Sequence, residues 1–205
     1  MARMPIRKTL RTAAVDDAEQ IADVLARAFD DDPMMAWFFP DAASRAEGLA
    51  RYFATIFTRR YGRYGVCERT DAGVSFWVSP EGQDKAVPDA ETLRELEDIL
   101  GDRAGLFREA VAAAAEHGPK EPHWYLAVVG ADPAARGRGH GAALLRSGPA
   151  RADAAGLPVY LESSKESNLP FYEHFGFTVL AEARLPHGGP AVWAMRRAPR
   201  TPDAV

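Results

Sequence analysis

The stretch Val128-Val129-Gly130-Ala131-Asp132-Pro133-Ala134-Ala135-Arg136-Gly137-Arg138-Gly139-His140-Gly141 decides the reading of this chain. It is entered by the apolar run Trp124 to Val129 and left by a helical stretch from Gly139 to Ala155. A continuous apolar run of this length predicts a strand buried on both faces. The start of a helix leaves its first amides unpaired and carries positive partial charge. Glycines let the chain curl so that several amides converge on one anion. Arg136 and Arg138 add forked, permanently charged donors, so Arg136 to Gly141 reads as a pyrophosphate cradle. His140 sits inside the turn and is expected to pack locally or to touch phosphate.

Two other glycine-rich turns are excluded by context. A dinucleotide-binding turn belongs near the start of a βαβ unit, with an acidic ribose partner about 20 residues later. This turn lies past the midpoint, and Ala131-Asp132-Pro133 separates it from its strand. A P-loop requires Gly-Lys-Ser/Thr, which is absent.

Upstream, Ile6 to Leu10 predicts a short first strand, and Asp16 with Glu19 has the spacing of a capping box. Ile21, Val24, Leu25 and Ala28 fall on one helical face, and Asp30-Asp31-Asp32-Pro33 stops that helix. A second amphipathic helix is expected over 42–60, carrying Leu49, Tyr52, Phe53, Ile56 and Phe57. A hairpin follows, Gly65 to Glu68 against Val74 to Val78, with Val74, Phe76 and Val78 on one face. The segment from Asp89 to His117 reads as helical. Downstream, Gly148-Pro149 should bend or interrupt the helix that leaves the cradle. Val159 to Leu161 reads as a buried strand, Asn168-Leu169-Pro170 opens a short helix ending at Gly176, and two closing strands follow. No repeat or linker divides the chain, so 1–198 read as one domain with a mixed sheet and 199–205 as a frayed tail.

The 205 residues suit a single core, with 47% hydrophobic and 26% charged residues. A formal net charge of −4, with both signs dispersed, argues against an obligatory nucleic-acid partner. The lone Cys67 cannot form an internal disulfide and reads as a small buried hydrophobe. No long apolar run follows the basic start, so neither a signal peptide nor a membrane span is expected, and a cytoplasmic location is the default. His and carboxylates lack ligand spacing, so no metal is implied.

Arg136, Gly139 and Gly141 match an Arg/Gln-x-x-Gly-x-Gly/Ala motif, and Leu161-Glu162-Ser163 is followed by Asn168-Leu169-Pro170-Phe171-Tyr172-Glu173-His174-Phe175-Gly176-Phe177. At these residues the sequence resembles the GNAT superfamily of N-acetyltransferases. Pro119 to Pro122, Leu161-Glu162 and Asn168 to Glu173 look like puromycin N-acetyltransferase and its relatives, while 30–41 and 80–118 depart from that pattern. The resemblance implies an α/β (α+β) fold with a mixed central sheet of about seven strands, flanked by helices and split near a CoA site. It implies acetyl-CoA as co-substrate, held by Val129, Gly130, Ala131, Asn168, Tyr172 and the cradle, with the pantetheine arm pairing at Val129 and Ala131. An amide near Val129 would polarise the thioester carbonyl. The reaction implied is direct acetyl transfer, in a ternary complex, to a primary amine of a small molecule, antibiotics such as puromycin included. A protein or peptide acetyltransferase and a silent acyl-CoA-binding module are the alternatives, and a Tyr at position 172 argues against the second.

For the chemistry, Tyr172 is the expected general acid toward the leaving thiolate, or else a packing tyrosine. Asn168 can contact the cofactor, cap its helix, or do both. Glu162, a carboxylate inside an apolar strand, is the expected general base, with a rim position and solvent exposure as the other reading. His123 at the strand entry is the other candidate base. The segment 30–41 is a candidate acceptor wall through Asp32, Trp37 and Phe38, although its aromatics can equally enter the core.

Overall fold

The structure is a computed structural model that describes residues 9–115 and 118–200, with the backbone alone for Ala114 and Ala115. Seven strands form one mixed sheet in the order β1-β2-β3-β4-β5-β7-β6. They are β1 (Arg11–Thr12), β2 (Val66–Thr70), β3 (Gly73–Val78), β4 (Trp124–Ala131), β5 (Val159–Ser163), β6 (Thr178–Arg184) and β7 (Ala191–Arg197). Only β4 and β5 run parallel; the other neighbours are antiparallel.

One face of the sheet carries α1 (Ala18–Phe29), α2 (Pro33–Phe38), α3 (Arg45–Ile56), α4 (Ala90–Leu100) and α5 (Ala104–Ala115). Ile21, Val24, Leu25, Phe53 and Ile56 pack there against Val74, Phe76, Val78 and Val128. The other face carries α6 (His140–Ala154) and α7 (Leu169–His174). Trp77, Leu126, Leu145, Val159, Leu161, Phe177 and Met195 make that second core. The alternation expected of β3 is therefore met, with Val74, Phe76 and Val78 on one side and Trp77 on the other.

Several expected boundaries move, each for a local reason. The first strand is Arg11–Thr12 rather than 6–10, because those two residues pair with Arg69 and Glu68; residues 6–8 lie outside the described ones. The capping interaction lies two residues earlier than the expected Asp16–Glu19 pair, at the 3-10 turn Val15–Asp17, where the Ala14 amide donates to the Asp17 carboxylate at 2.9 Å. The second helix ends as an α-helix at Ile56 and continues as a π-turn over Phe57–Tyr61. The helical segment from Asp89 breaks at Gly101, whose φ of 53° and N–H bonded to the Glu97 carbonyl close α4. Expected residues 116–117 lie outside the described ones. Gly148-Pro149 does not interrupt α6, which runs through both. The expected frayed tail is tied down as far as Arg200, whose amide donates to Asp153 at 2.7 Å; 201–205 lie outside the described residues.

The register of β4 positions everything that follows. Gly73 to Phe76 pair with Ala131 to Val128, but Trp77 then pairs with Leu126. Ala127 is thus an extra residue, a bulge that leaves one amide outside the ladder and turns the strand. Leu126 and Val128, both even-numbered, consequently face opposite cores. The Asp132 amide donates to the Ala72 carbonyl, and alternation along the ladder then turns the backbone groups of Val129 and Ala131 away from β3.

Gly148 explains why α6 lies so close to the sheet. A Cβ there would meet the fully buried Trp77 ring at 2.4 Å. Helix propensity alone favours Ala over Gly by about 1 kcal/mol, whereas overpacking a core costs about 1–3 kcal/mol. The clash is with a rigid indole, so Gly148→Ala is expected to destabilise the fold by about 1–2 kcal/mol. Urea denaturation followed by Trp fluorescence measures it; an unchanged or raised midpoint would refute the close-packing account.

Candidate active site

β4 and β5 exchange only two parallel register pairs, Trp124 with Val159 and Tyr125 with Tyr160. Beyond them the strands diverge, and an open cleft of about 610 Å³ fills the gap. Tyr125, Ala127 and Val129 are half-buried because they line this cleft, so the expectation of a β4 buried on both faces holds only for Leu126 and Val128. The cleft explains the exposure: beyond Tyr125, β4 has no paired strand on the β5 side.

Glu162 lies on the cleft wall with Ser163 and Ser164. The Tyr125 hydroxyl donates to its carboxylate at 2.8 Å. Tyr160, two residues before it on the same face of β5, stacks on Tyr125 with ring centroids 6.1 Å apart. The Tyr160 hydroxyl approaches the same carboxylate without reaching full hydrogen-bond geometry. Burial pushes the Glu162 carboxyl above the ordinary glutamate range, and the tyrosine hydroxyls pull it partly back. Burial, with Glu162 beside it, pushes the Tyr125 phenol well up, so it stays a donor. Glu162 therefore does not point into solvent at a rim. A second, small cavity of about 60 Å³ reaches it from the side of Ala181, Ala183 and Ala194.

Tyr172, on α7, is buried at the far wall of the same cleft. Burial and the Asp32 carboxylate push its phenol up. Asn168 also lines the cleft, but its side chain makes no capping bond to α7. The expectation that Asn168 caps its helix is therefore not met; a short 3-10 turn, Glu166–Asn168, enters α7 instead. His123 borders the cleft mouth, where its Nδ1 meets the Glu121 carbonyl at 2.8 Å and its ring packs edge-on against Tyr160.

The glycine cradle stands at the end of β4. Gly137 and Gly139 take φ of 75° and 81°, a left-handed conformation that other residues adopt only with strain. Gly139 is the N-cap of the fifteen-residue α6, whose first amides, like those of any helix start, have no partner within the helix. The amides of Arg136 and Arg138 are used inside the turn, donating to Pro133 and Ala135. Their guanidinium-bearing side chains are exposed beside it. This arrangement fits a phosphate-bearing ligand through backbone amides and flanking charge. The His140 side chain packs locally, one of the two roles expected of it. Its ring is buried, with Nδ1 2.8 Å from the Thr70 hydroxyl, and it fastens α6 to the β2–β3 turn. Gly130 serves packing: a Cβ there would meet Leu25, Phe29 and Ala28 within 3.0 Å, so the glycine lets α1 lie against β4.

The three acceptor-wall candidates separate. Phe38 is buried and lines the cleft, edge-on to Phe107 at 5.4 Å. Trp37 is not among the cleft-lining residues; it packs on Phe38 and against Gly189 in the β6–β7 turn. Asp32 lines the cleft, but its carboxylate is committed. One oxygen caps α2 by accepting from Met34 and Met35 at 3.0 Å, and the other accepts from the Ser164 hydroxyl at 2.5 Å. Cys67 is buried in the core, which pushes its thiol up and leaves it unsuited as a nucleophile. Tyr125, Tyr160 and Phe107 are among the cleft residues the sequence reading missed. Tyr160 and Glu162 alternate on one strand face, a signal that was present; Tyr125 joins them only through the β4–β5 register.

Residues 102–179 match the family model described as Acetyltransferase (GNAT) domain. An uncharacterized N-acetyltransferase of Schizosaccharomyces pombe is 46% identical over 54 residues, 26% of this chain. That match spans only 22% of the yeast protein. A solved structure from Corynebacterium glutamicum, described as histone acetyltransferase HPA2 and related acetyltransferase, is similar over 96% of this chain and 99% of its own, with 29% identity and a TM-score of 0.73. A GCN5-related N-acetyltransferase of Rhodopseudomonas palustris shares the fold alone, at 13% identity and a TM-score of 0.56 over 97% and 99% of the two chains. Residues 102–179 thus resemble a GNAT acetyltransferase domain, and the mixed seven-stranded sheet is the fold of the solved acetyltransferase structures to which this chain is similar. No helix among the described residues is long and apolar enough to cross a membrane.

Because Asp32 caps α2, its removal is expected to cost stability. Asp32→Ala should lower the unfolding free energy by about 1–2 kcal/mol, read from urea denaturation. Asp32→Asn, which retains an acceptor for the Met34 and Met35 amides, should recover most of the loss. Equal losses in the two variants would show that capping is not what the carboxylate does.

Proposed function

We propose that the protein transfers the acetyl group of acetyl-CoA directly to a primary amine of a small molecule within a ternary complex. The observation that carries this reading is the buried Glu162 carboxylate, held by Tyr125 across the divergence of β4 and β5 and facing the same cleft as Tyr172. The cradle at 137–141 lies at the end of the strand that forms this cleft, where it supports a phosphate-bearing donor.

Acetyl-CoA supplies the acetyl thioester. The amides of Gly139 to Gly141, with Arg136 and Arg138, hold its phosphates. Backbone groups of Val129 and Ala131, turned away from β3, hold the amide-bearing arm, and an amide near Val129 stabilises charge on the carbonyl oxygen. Glu162 takes one proton from the amine, so that nitrogen brings a lone pair to the carbonyl carbon. The C–N bond forms and the C–S bond breaks. Tyr172 gives its hydroxyl proton to the departing sulfur and regains one from the nitrogen, which sheds its second proton as the amide forms; Glu162 then releases its proton to solvent. His123 lines the same cleft, with its Nδ1 engaged by the Glu121 carbonyl, and is the alternative base. Amine-bearing antibiotics such as puromycin fall within the acceptor class.

Release of free thiol from acetyl-CoA in the presence of small amines tests the reading. Tyr172→Phe is expected to lower kcat by about 100-fold with acetyl-CoA affinity nearly unchanged. Unaltered kcat would remove Tyr172 from the chemistry, and release with peptides alone would favour a protein acetyltransferase.

The pH dependence carries a sign. Glu162 acts as base only when ionised, so kcat/KM rises as pH climbs through its raised pKa and is lost below it. The Tyr125 hydroxyl stabilises the ionised form. Tyr125→Phe is therefore expected to move the acidic limb of the profile upward by about one pH unit. A limb that stays in place would disconnect either Tyr125 from Glu162 or Glu162 from the rate.

A further inference from the structure

The side of the cleft away from the cradle has a composition that bears on the acceptor. Phe38, Phe107 and Tyr52 form one edge-to-face cluster on its wall, with ring centroids 5.4 Å apart for Phe38–Phe107 and 6.1 Å apart for Tyr52–Phe107. Met34 and Met35 lie beside them. At the rim stand Val87 and Val111, two of the most exposed large apolar side chains among the described residues, at 65% and 53%. An apolar rim around an apolar wall leaves surface that water covers poorly and that an apolar ligand would cover well.

Charge is scarce on the same wall. Among the described residues that line the cleft, the carboxylates are Asp32 and Glu162. Both oxygens of Asp32 are taken by Met34, Met35 and Ser164, and Lys165 adds positive charge nearby. Arg60 also lines the cleft, donating to the Ala86 carbonyl at 2.7 Å and lying over the Tyr61 ring. Glu162, held by the Tyr125 hydroxyl, is thus the less engaged of the two carboxylates and the one placed to receive an ammonium, while the Arg60 guanidinium opposes a second.

From this distribution we infer that the acceptor is a monoamine carrying an aromatic or comparably bulky apolar body, and that polyamines and aminoglycosides are discriminated against. The apolar body lies on Phe38 and Phe107 under the rim of Val87 and Val111, and its single amine reaches Glu162. The specificity has two physical sources. Burying a phenyl-sized body favours the aryl amine over a small polar one. A second ammonium would lose its hydration near Arg60 with no anion to replace the water.

The inference rests on the acetyl-transfer reading above, and the test separates the two. The full chain, at saturating acetyl-CoA, is offered 2-phenylethylamine, ethanolamine, spermidine and a lysine-containing peptide, and thiol release gives kcat/KM for each. The aryl amine is expected to exceed ethanolamine and spermidine by about 30-fold or more. Phe107→Ala should lower the preference for the aryl amine over ethanolamine by about 10-fold. Val111→Asp, at an exposed helical position where folding is not at stake, should narrow the gap between the aryl amine and spermidine. Spermidine or the peptide equalling the aryl amine would overturn the acceptor class while leaving acetyl transfer standing. No thiol release with any amine would overturn the transfer reading, and this inference with it.

Discussion

The structure depends on a pair of parallel strands that part company. β4 and β5 are joined at Trp124–Val159 and Tyr125–Tyr160 and then diverge. A buried backbone tolerates unpaired amides and carbonyls poorly, so two strands separating in the middle of a sheet require a cause and a partner. The cause is the extra residue at Ala127, which turns β4. The partner, in the reading proposed here, is the extended arm of the donor, which takes up the backbone groups that β5 has left.

Around that gap the chain places its hard-to-bury groups. Glu162 is kept among Tyr125 and Tyr160, where two phenols soften the cost of a carboxylate removed from water. Tyr172 comes from α7, a helix of six residues brought to the cleft by the turn after β5. Asp32 comes from the opposite side of the sheet and is satisfied by its own helix and by Ser164. Two carboxylates in one cleft thus have different fates. One is fixed by structure, and the other, held by a tyrosine hydroxyl, is left able to accept a proton.

The glycines divide in the same way. Gly137 and Gly139 are required by backbone conformation, because the cradle needs left-handed residues to turn its amides outward. Gly130 and Gly148 are required by space, letting α1 and α6 approach the sheet from opposite faces. In a string of letters these two kinds look alike. The first kind was readable from the short spacing Arg136-Gly137-Arg138-Gly139-His140-Gly141; the second depends on Leu25, Phe29 and Trp77, which are distant in sequence.

What the sequence determined by itself was local: the strand–cradle–helix unit, the β2–β3 hairpin with its alternating face, and the apolar faces of α1 and α3. Periodicity and backbone chemistry act over a few residues, so these features need no tertiary context. Where tertiary contacts compete, the reading slipped. Gly148-Pro149 did not interrupt α6, and the capping interaction moved to Ala14 and Asp17. Only the folded sheet decided which side chains meet: Tyr125 with Glu162 across 37 residues, and Ser164 with Asp32 across 132. Hydrogen bonds of that kind are fixed by strand register and sheet divergence, and neither is written in the spacing of nearby residues.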